Sequence, residues 1–349
     1  MNLVSVIIPT YNTEKFIEKC LKSIKNQTYT HIEIIIINDG STDNTLTIIE
    51  KHKKTDNRIK LLNFTQNKGN GIGRNLAVKE AKGEYILFVD ADDWVENNLI
   101  EKVVTKIETT NADVVLFGHT EHLPYKKFRK RVSHIPRIND FENHEIIFQN
   151  YLLQHNGVLI QPWIYLINRK LLIENNICFN ETGVFFEDVI FSTKLLFYTK
   201  KLVAVREELY HYYRHKKSIT HSYGRKTVEG RFAALIEIKQ FLKQNNVFEQ
   251  YKDIYSLFFI RSGFLLSCMD YFRMKTDNAE IEKFLKDLCL SEFVQKFNIS
   301  SLQLPSDTNR EPKALSYKQI QSLVNTIKTH FSFTKRYYRF MSKIGFTNI

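Results

Sequence analysis

The chain has 349 residues, which is enough for one large domain or two average ones, each with a real core. Its 43% apolar and 25% charged residues are typical of a soluble globular protein, and its 17 Tyr and 26 Phe against 6 Pro argue against long disordered linkers. The formal net charge is +12, and the N-terminus lacks the basic segment and long apolar run of a signal peptide. The four scattered cysteines form no CxxC pair, which argues against a zinc site and indicates a reducing compartment.

The positive charge is concentrated in two stretches of the chain. Residues 126–131 hold five basic residues and no acid, and residues 305–349 carry eight Lys or Arg against two Asp or Glu, a net charge of +6. Such surfaces suit nucleic acid, anionic lipid headgroups or phosphorylated substrates. A basic run taken alone is more often a solvated surface, and the sequence holds no zinc-finger or RNP motif that would favour nucleic acid.

The first third of the chain alternates between predicted strands and predicted helices. The strands cover residues 3–8, 32–37, 59–64, 84–89 and 113–117, and the helices cover residues 14–27, 41–54 and 74–83. The strands are almost continuously apolar and β-branched, as is typical of strands buried on both faces of a parallel sheet. This order predicts an α/β fold with a doubly wound, mostly parallel sheet. Gly83 is predicted to end the third helix as a left-handed cap.

The rest of the chain falls into a mixed part and a helical part. Residues 119–220 combine strand-like pieces with helices, and from about Lys226 the pattern is helical. The apolar stretch at residues 254–268 is interrupted by Arg261, which favours a buried helix over a membrane span. We therefore place a domain boundary near residue 225, between residues 1–225 and a helical region over residues 226–349.

Polar clusters follow three of the predicted strands. They are "PTYN" after the first strand, "NDGSTD" after the second and "DADD" after the fourth. Ligands gather outside the carboxyl ends of the strands in sheets of this kind, so we expect the three loops to converge on one crevice. Scattered turn residues need not converge, and the pattern therefore favours a functional site.

The last of these clusters places Asp90, Asp92 and Asp93 directly behind a strand. Clustered carboxylates without thiols suit a hard divalent ion such as Mg²⁺ or Mn²⁺. The alternative is an ordinary turn whose acids cap the helix that follows, and the motif alone does not decide between the two. The glycine-rich loop at residues 66–75 offers Lys68 and Arg74 to a diphosphate, although it matches neither a P-loop nor a dinucleotide fingerprint, and a flexible turn is the alternative.

Several of these motifs together resemble the family 2 glycosyltransferases with the GT-A fold. The resemblance rests on "VSVIIPTYN", "IEIIIINDGSTDNT", "NKGNGIGRN" and "YILFVDADD", and it continues more loosely to "FFEDVIFSTKLL" and "LYHYYRHKKSIT". It covers about 220 residues, with the motifs in the family's order. The resemblance implies a GT-A nucleotide-sugar-binding and catalytic domain over residues 1–225, and the helical region over residues 226–349 would serve acceptor binding, membrane docking or oligomerisation. The sequence departs from the family pattern at Asn38, where a second acid is usual, and at "GIGRN", where "AARN" is usual.

The resemblance implies a role for each motif on the donor side of the reaction. It implies that Tyr11 and Asp39 hold a uracil-type base, that Asp90 contacts the ribose or supports a metal, and that Asp92 ligates the ion at the diphosphate. Asp93 would support these groups or face the acceptor. The remaining positions that it assigns to donor binding are Pro9, Lys68, Arg74, Ala91 and Ser218.

The acceptor hydroxyl must lose its proton as it attacks, and this requires a carboxylate or histidine base. The resemblance assigns that role to Asp188, with Glu187 orienting the site or the acceptor. A helix follows these two acids, so they could equally cap its N-terminus, where the helix dipole would lower the pKa of Asp188. The resemblance also suggests His215 as a third metal ligand, with His211 as the rival candidate, although a lone histidine is more often structural.

The leading hypothesis is therefore an inverting, metal-dependent transferase that uses Mn²⁺ or Mg²⁺ and a nucleotide sugar, with UDP as the expected nucleotide. The acceptor would be a glycan or lipid-linked oligosaccharide of bacterial surface-polysaccharide assembly. We expect a cytoplasmic protein that docks peripherally on the inner face of the membrane through its basic surface. The alternatives are an Asp-dependent phosphohydrolase, whose motif should follow the first strand, and a non-catalytic basic binding protein.

Overall fold

The computed structural model of the chain describes residues 1–123, 130–137, 140–153, 160–182, 186–215 and 225–267, together with residue 283. The chain divides into two compact units, residues 1–218 and 219–349. The basic stretches singled out in the sequence lie outside the side chains that the structure describes. The roles expected for the C-terminal region stay predictions.

The first unit is built on one mixed sheet, to which ten strands belong within the described residues. The strands are β1 (Val4–Thr10), β2 (Ile32–Asp39), β3 (Ile59–Phe64), β4 (Tyr85–Phe88), β5 (Trp94–Val95), β6 (Val114–Leu123), β7 (Lys130–His134), β8 (Asp140–Phe141), β9 (Tyr165–Asn168) and β10 (Leu202–Tyr213). Their order is β3-β2-β1-β4-β9-β6-β10-β5, with β7 beside β6 and β8 beside β10.

Pairing directions follow the sequence pattern over most of the sheet. The four strands β3, β2, β1 and β4 are parallel, and β6 is parallel to β10. Strand β9 lies between β4 and β6 and runs antiparallel to both. The predicted α/β sheet is confirmed. Strands β1 and β2 extend to Thr10 and Asp39, two residues beyond their predicted ends, so the polar loops start from the sheet itself.

Helices connect the strands and cover the sheet. They are α1 (Ile17–Lys25), α2 (Thr45–Thr55), α3 (Asn70–Glu80), α4 (Leu99–Thr110), α5 (His144–Leu153), α6 (Arg169–Glu174), α7 (Glu187–Tyr198), α8 (Arg225–Gln244) and α9 (Phe248–Phe258). The C-terminal region is helical where it is described, as predicted. Helix α9 continues into a π-helical turn at Phe259–Leu265, and no described helix is long and apolar enough to cross a membrane.

Burial in the core explains why the sequences of the first strands are almost continuously apolar. All residues of β1 are buried, and Ile34, Ile35, Ile36 and Ile37 of β2 are at most 1% exposed. Side chains on both faces of a strand are buried only when helices cover both sides of the sheet. Each such isoleucine contributes about 1.5–3 kcal/mol through removal of apolar surface from water.

The prediction for Gly83 is wrong. Helix α3 ends at Glu80, its last turn is followed by Ala81 in an extended conformation, and Gly83 does not have the positive φ of a left-handed cap. The glycine is required for close approach instead, because a Cβ at this position would lie 2.6 Å from Ser5 Oγ and 2.7 Å from the Leu3 carbonyl oxygen. The Gly83 amide donates a hydrogen bond to Ser5 Oγ.

Candidate active site

The loops after β1 and β2 are joined by hydrogen bonds at the carboxyl edge of the sheet. The Asn12 amide donates to Ser41 Oγ at 3.0 Å, and Asn12 Oδ1 accepts from the Thr42 amide at 2.8 Å. One residue later, the Thr13 amide donates to Thr45 Oγ1 at 2.8 Å. Reciprocal bonds of this kind fix both loops before any ligand binds.

Asp39 connects the loop after β2 to the glycine-rich loop. Its two carboxylate oxygens accept from the amides of Lys68 at 2.7 Å and Gly69 at 2.9 Å, and the residue is only 3% exposed. Gly69 has a φ of 92°, which an L side chain rarely adopts, so this loop conformation depends on glycine. Asp39 therefore organises the loop, and a carboxylate with two amide donors keeps lone pairs for a further N–H donor.

Other residues predicted to bind the donor lie at the same edge of the sheet. Tyr11 is 46% exposed and is therefore available for packing against a ligand, whereas Pro9 is buried within β1. Lys68 is exposed, and its Nζ lies 4.8 Å from the centre of the Phe64 ring. Asn38, which replaces the family's second acid, is buried and donates to Asn63 Oδ1 at 2.7 Å. Asn38 Oδ1 also accepts from the Ser41 amide at 3.4 Å, so this side chain holds both β3 and the start of the loop after β2.

The acids after β4 do not cap the next helix. Strand β5 follows them directly, and helix α4 begins only at Leu99, with Asn98 at its cap position and no side-chain capping bond. The turn is closed by a hydrogen bond from the Asp93 amide to the Asp90 carbonyl oxygen at 3.0 Å. The capping alternative is therefore removed, and the three carboxylates remain without a role in helix formation.

Arg74 joins this turn to the start of α7. Its Nη2 lies 3.0 Å from Asp90 Oδ1, and its Nη1 lies 3.4 Å from Glu187 Oε1. The residue is 6% exposed, and its buried Nε has no hydrogen-bond partner in the described part of the chain. Because an arginine carries its charge at all relevant pH values, one guanidinium group supplies positive charge to both acids. The diphosphate contact assigned to Arg74 stays a prediction.

Asp188 lies in the first turn of α7, next to Glu187. Desolvation of its partly buried carboxyl, followed by the charge of Glu187, raises its pKa to about 7. The net pKa is raised although a helix N-terminus favours the ionised form, because burial and the neighbouring acid outweigh the opposing charge of Arg74. Phe186, directly before the two acids, has a φ of 77°, a strained backbone conformation for an aromatic residue.

His215, rather than His211, reaches the acids after β4. Its Nε2 lies 3.0 Å from Asp92 Oδ2, and its ring stacks on Phe16 with centroids 4.6 Å apart. His211 is engaged elsewhere, because its Nε2 lies 2.7 Å from Glu96 Oε1 and its ring stacks on Trp94. Ser218 and its neighbour Lys217 lie outside the described residues.

The residues at this turn could hold a divalent cation only if phosphate oxygens or water supplied the remaining ligands. Burial, and then the charge of Asp90, raises the pKa of Asp92. Among the described residues, no group of three or more His, Cys, Asp or Glu side chains is placed so that it could hold a metal ion. Mg²⁺ and Mn²⁺ commonly take few ligands from the protein and the others from phosphate oxygens and water. Asp92, with Asp90 and His215 beside it, would supply only part of the coordination of such an ion.

Three residues that hold the site were not identified from the sequence. Tyr210 and Tyr213 on β10 bind the Asp93 carboxylate, and Phe16 supports the His215 ring. The only signal was the aromatic run "LYHYYRH", in which buried and half-buried rings follow one another along a strand. Ala91, which was assigned to donor binding, is 3% exposed and lies inside the turn.

Comparison with known proteins gives a consistent family relationship. The family model described as "Glycosyl transferase family 2" matches residues 5–174. Glycosyltransferase GlyG of Streptococcus pneumoniae is 32% identical over 224 residues, which cover 62% of this chain and 72% of GlyG. A cholesterol galactosyltransferase of Borreliella burgdorferi is 26% identical over 346 residues, which cover 96% of this chain and 94% of that protein.

A solved structure resembles the chain over its whole length. The crystal structure of residues 1–349 of Staphylococcus aureus TarS, in complex with UDP-GlcNAc, superimposes with a TM-score of 0.66. The match covers 100% of this chain and 91% of that one, at 23% identity. At this identity the likeness concerns the fold, and it confirms the predicted GT-A architecture.

Proposed function

The chain belongs to the family 2 glycosyltransferases and is a glycosyltransferase, and from this we propose that it transfers a sugar from a UDP-sugar to a hydroxyl group of a glycan or lipid-linked acceptor. The reaction inverts the anomeric carbon and depends on Mn²⁺ or Mg²⁺. The transferred sugar is a hexose or an N-acetylhexosamine. The product belongs to a bacterial surface polymer of the capsule, exopolysaccharide, O-antigen or teichoic-acid type.

One observation carries this proposal, and it is the double pairing of Arg74. Its guanidinium group contacts Asp90, which is assigned to the donor, and Glu187, which adjoins the assigned base Asp188. Asp90 and Glu187 are 97 positions apart in the sequence (187 − 90), yet both lie within 3.4 Å of one side chain. A single centre in which donor acids and acceptor acids meet is what a direct transfer between two bound substrates requires.

In the proposed reaction, the acceptor oxygen attacks the anomeric carbon, and its proton passes to Asp188. The bond between that carbon and the diphosphate oxygen breaks, and UDP leaves with the bonding electrons. One displacement from the face opposite the leaving group inverts the anomeric carbon. A base is most effective when its pKa is close to the operating pH, and the pKa of about 7 at Asp188 supports this role.

The leaving diphosphate gains negative charge, which the site must stabilise. A divalent ion held by Asp92, with Asp90 and His215 beside it, would supply positive charge at that point. On the protein side, the exposed Lys68 side chain is proposed to face the phosphates, and the buried Arg74 guanidinium group, which pairs with Asp90 and Glu187, is proposed to add positive charge beside them. Ser218 is retained as a proposed phosphate contact from the sequence alone.

The nucleotide base is proposed to pack against Tyr11 and to donate its ring N–H to Asp39. The remaining acceptor capacity of the Asp39 carboxylate and the exposure of the Tyr11 ring support this arrangement. The relative TarS was crystallised with UDP-GlcNAc and with UDP, which supports UDP as the nucleotide here. Uracil offers one ring N–H, and this matches a carboxylate acceptor.

The acceptor class is proposed from the relatives. TarS of Staphylococcus aureus is named a poly(ribitol-phosphate) β-N-acetylglucosaminyltransferase, although this chain spans only 49% of its length. The relative from Borreliella burgdorferi carries the name of a cholesterol galactosyltransferase and matches over nearly the whole chain. Poly(ribitol-phosphate) and cholesterol both carry hydroxyl groups, one on a surface polymer and the other on a lipid. These two names support a glycan or lipid-linked acceptor for this chain.

We also propose that the protein works in the cytoplasm and docks peripherally on the inner membrane face. The net charge of +6 over residues 305–349, eight basic residues minus two acidic ones, would attract anionic lipid. Flotation of the full chain with vesicles that contain anionic lipid tests this. Binding that weakens with added salt is expected, and absence of binding at low salt would contradict docking.

A thermal-shift screen of nucleotide sugars and nucleoside diphosphates, with and without Mn²⁺, tests the donor proposal. A ligand that binds only the folded state raises the unfolding midpoint. We expect UDP and UDP-sugars with Mn²⁺ to raise it more than GDP or ADP, and EDTA to reduce the effect. A larger shift with a different nucleotide would overturn the UDP assignment, and no shift with any of them would overturn the donor site as proposed.

A further inference from the structure

A tyrosine on a neighbouring strand binds the acidic turn at two points. The Tyr210 hydroxyl accepts a hydrogen bond from the Asp90 amide at 3.1 Å and donates one to Asp93 Oδ2 at 2.7 Å. A hydroxyl has one donor and two acceptor positions, so both bonds form at once. The first and last acids of the turn are thus tied to a single oxygen atom.

The position of that oxygen is set by the sheet. Tyr210 is fully buried and pairs with Val95 on one side and His119 on the other. Its ring stacks on Trp163, with centroids 4.4 Å apart and an angle of 16° between the planes. A tyrosine hydroxyl at the end of a packed ring has little freedom, and its bonds therefore transmit the geometry of β10 to the turn.

The second oxygen of Asp93 is held in the same way. Asp93 Oδ1 accepts from the Tyr213 amide at 2.7 Å, and Asp93 is 1% exposed. Asp93 therefore points into the sheet, away from the crevice, and is not free to contact an acceptor. Of the three acids, Asp90 and Asp92 keep partial exposure and contact Arg74 and His215.

We propose that Tyr210 is a positioning residue for the donor site: its hydroxyl holds the 90–93 turn so that Asp92 faces the ligand while Asp93 is turned inward. The inference rests on the proposed function, because it assigns Asp92 to the metal and diphosphate. Three adjacent carboxylates repel one another, and without an anchor the turn would relax to separate them. Outer residues that orient a metal ligand typically change metal affinity by about 10–100-fold when they are lost.

The test compares Tyr210→Phe with a matched control in the full-length protein. The variant removes only the hydroxyl and keeps the stacked ring. Tyr29→Phe is the control, because the Tyr29 hydroxyl also donates one partly buried hydrogen bond, to the Asn2 carbonyl oxygen at 2.6 Å. This bond lies next to the start of β1, at the opposite end of the strand from the crevice. Hydrogen exchange of the peptide that covers residues 89–94 is measured first, without ligand. UDP affinity is then measured by calorimetry, with Mn²⁺ and with EDTA.

Tyr210→Phe is expected to speed exchange in residues 89–94 and to weaken UDP binding with Mn²⁺ by about tenfold or more. UDP binding in EDTA should change far less, and Tyr29→Phe should change neither quantity. Exchange and metal-dependent affinity equal to those of the unmodified protein would overturn the inference. Equal losses with and without Mn²⁺ would also overturn it, since they indicate a general structural role. If the unmodified protein binds no UDP, the proposed donor is wrong, and the exchange measurement still decides whether Tyr210 holds the turn.

Discussion

His215 Nε2 lies 3.0 Å from Asp92 Oδ2, and this contact connects the end of β10 to the turn after β4. The two residues are 123 positions apart in the sequence. The imidazole is held from its face by Phe16, so its edge is directed at the carboxylate. A carboxylate oxygen suits Mn²⁺, and a neutral imidazole nitrogen is a common metal ligand beside it.

His215→Ala is therefore expected to weaken UDP binding in the presence of Mn²⁺ by about tenfold or more, with little change in EDTA. Calorimetric titration with UDP at fixed Mn²⁺ measures this. His211→Ala is the comparison, since His211 pairs with Glu96 and does not reach Asp92. A metal-dependent loss in His211→Ala and none in His215→Ala would reverse the assignment of the two histidines.

The pKa of Asp188 predicts the pH dependence of transfer. A base with a pKa of about 7 is protonated and inactive in acid, so kcat/KM should fall below pH 7 by about tenfold per pH unit. Asp188→Asn should lower kcat by about 10²–10⁴-fold and leave UDP affinity within about twofold. Initial rates over pH 5–9 measure the profile. Asp56→Asn, a substitution far from the crevice, should keep the pH profile of the unmodified protein. Near-normal transfer by Asp188→Asn would exclude Asp188 as the base.

The same shift predicts a change in stability with a definite sign. The pKa of Asp188 is raised from 3.8 to about 7 in the folded protein, so between these values the folded state holds a proton that the unfolded state has lost. Folding therefore becomes less favourable as pH rises through this window, by at most on the order of 4 kcal/mol. Above about pH 7 both states are ionised, and the penalty is complete.

Asp188→Asn removes this penalty and should raise the unfolding midpoint by several degrees at pH 8, but hardly at all near pH 4. Asp56 provides a control of opposite sign. Its hydrogen bonds to Arg58 lower its pKa, so Asp56→Asn should destabilise the protein at neutral pH. Calorimetry of both variants from pH 4 to pH 8 measures the two effects. A stabilisation by Asp188→Asn that does not grow with pH would contradict the raised pKa.

The sequence predicted the part of the fold that depends on local pattern. Continuous β-branched runs identified β1 and β2, and the polar residues at their ends identified the loops that carry Tyr11 and Asp39. These features lie within a few residues of one another, so periodicity and composition reveal them. The insertion of β9 between β4 and β6 has no local signature, because it depends on pairing between distant segments.

Properties that arise from long-range packing could not be read in the same way. The sequence offered Arg74 as a phosphate ligand, but its pairing with Asp90 and Glu187 depends on how α3 and α7 meet the sheet. The pKa of Asp188 depends on burial, which no neighbour in the sequence determines. The same is true of the inward orientation of Asp93, which follows from its contacts with β10.

Two glycines show most directly that close packing cannot be predicted from the local sequence. Gly83 follows a helical pattern and was expected to be a cap, but contact with Ser5 and Leu3 requires it. Gly73 stands where the family commonly has alanine. A Cβ at Gly73 would lie 2.8 Å from Ile37 Cγ2, so this helix approaches β2 more closely than an alanine permits. The departure from the family pattern is thus matched by the isoleucine that faces it.

Gly73→Ala should therefore destabilise the protein, although alanine favours a helix by about 1 kcal/mol over glycine. Ile37 Cγ2 is attached to a stiff β-branched carbon in the buried sheet, and overpacking at such a site costs about 1–3 kcal/mol. In an Ile37→Leu background, which removes that methyl branch, the same substitution should cost less. Urea unfolding of the parent, both single variants and the double variant measures the coupling. Strict additivity of the two changes would show that Ile37 does not impose the glycine.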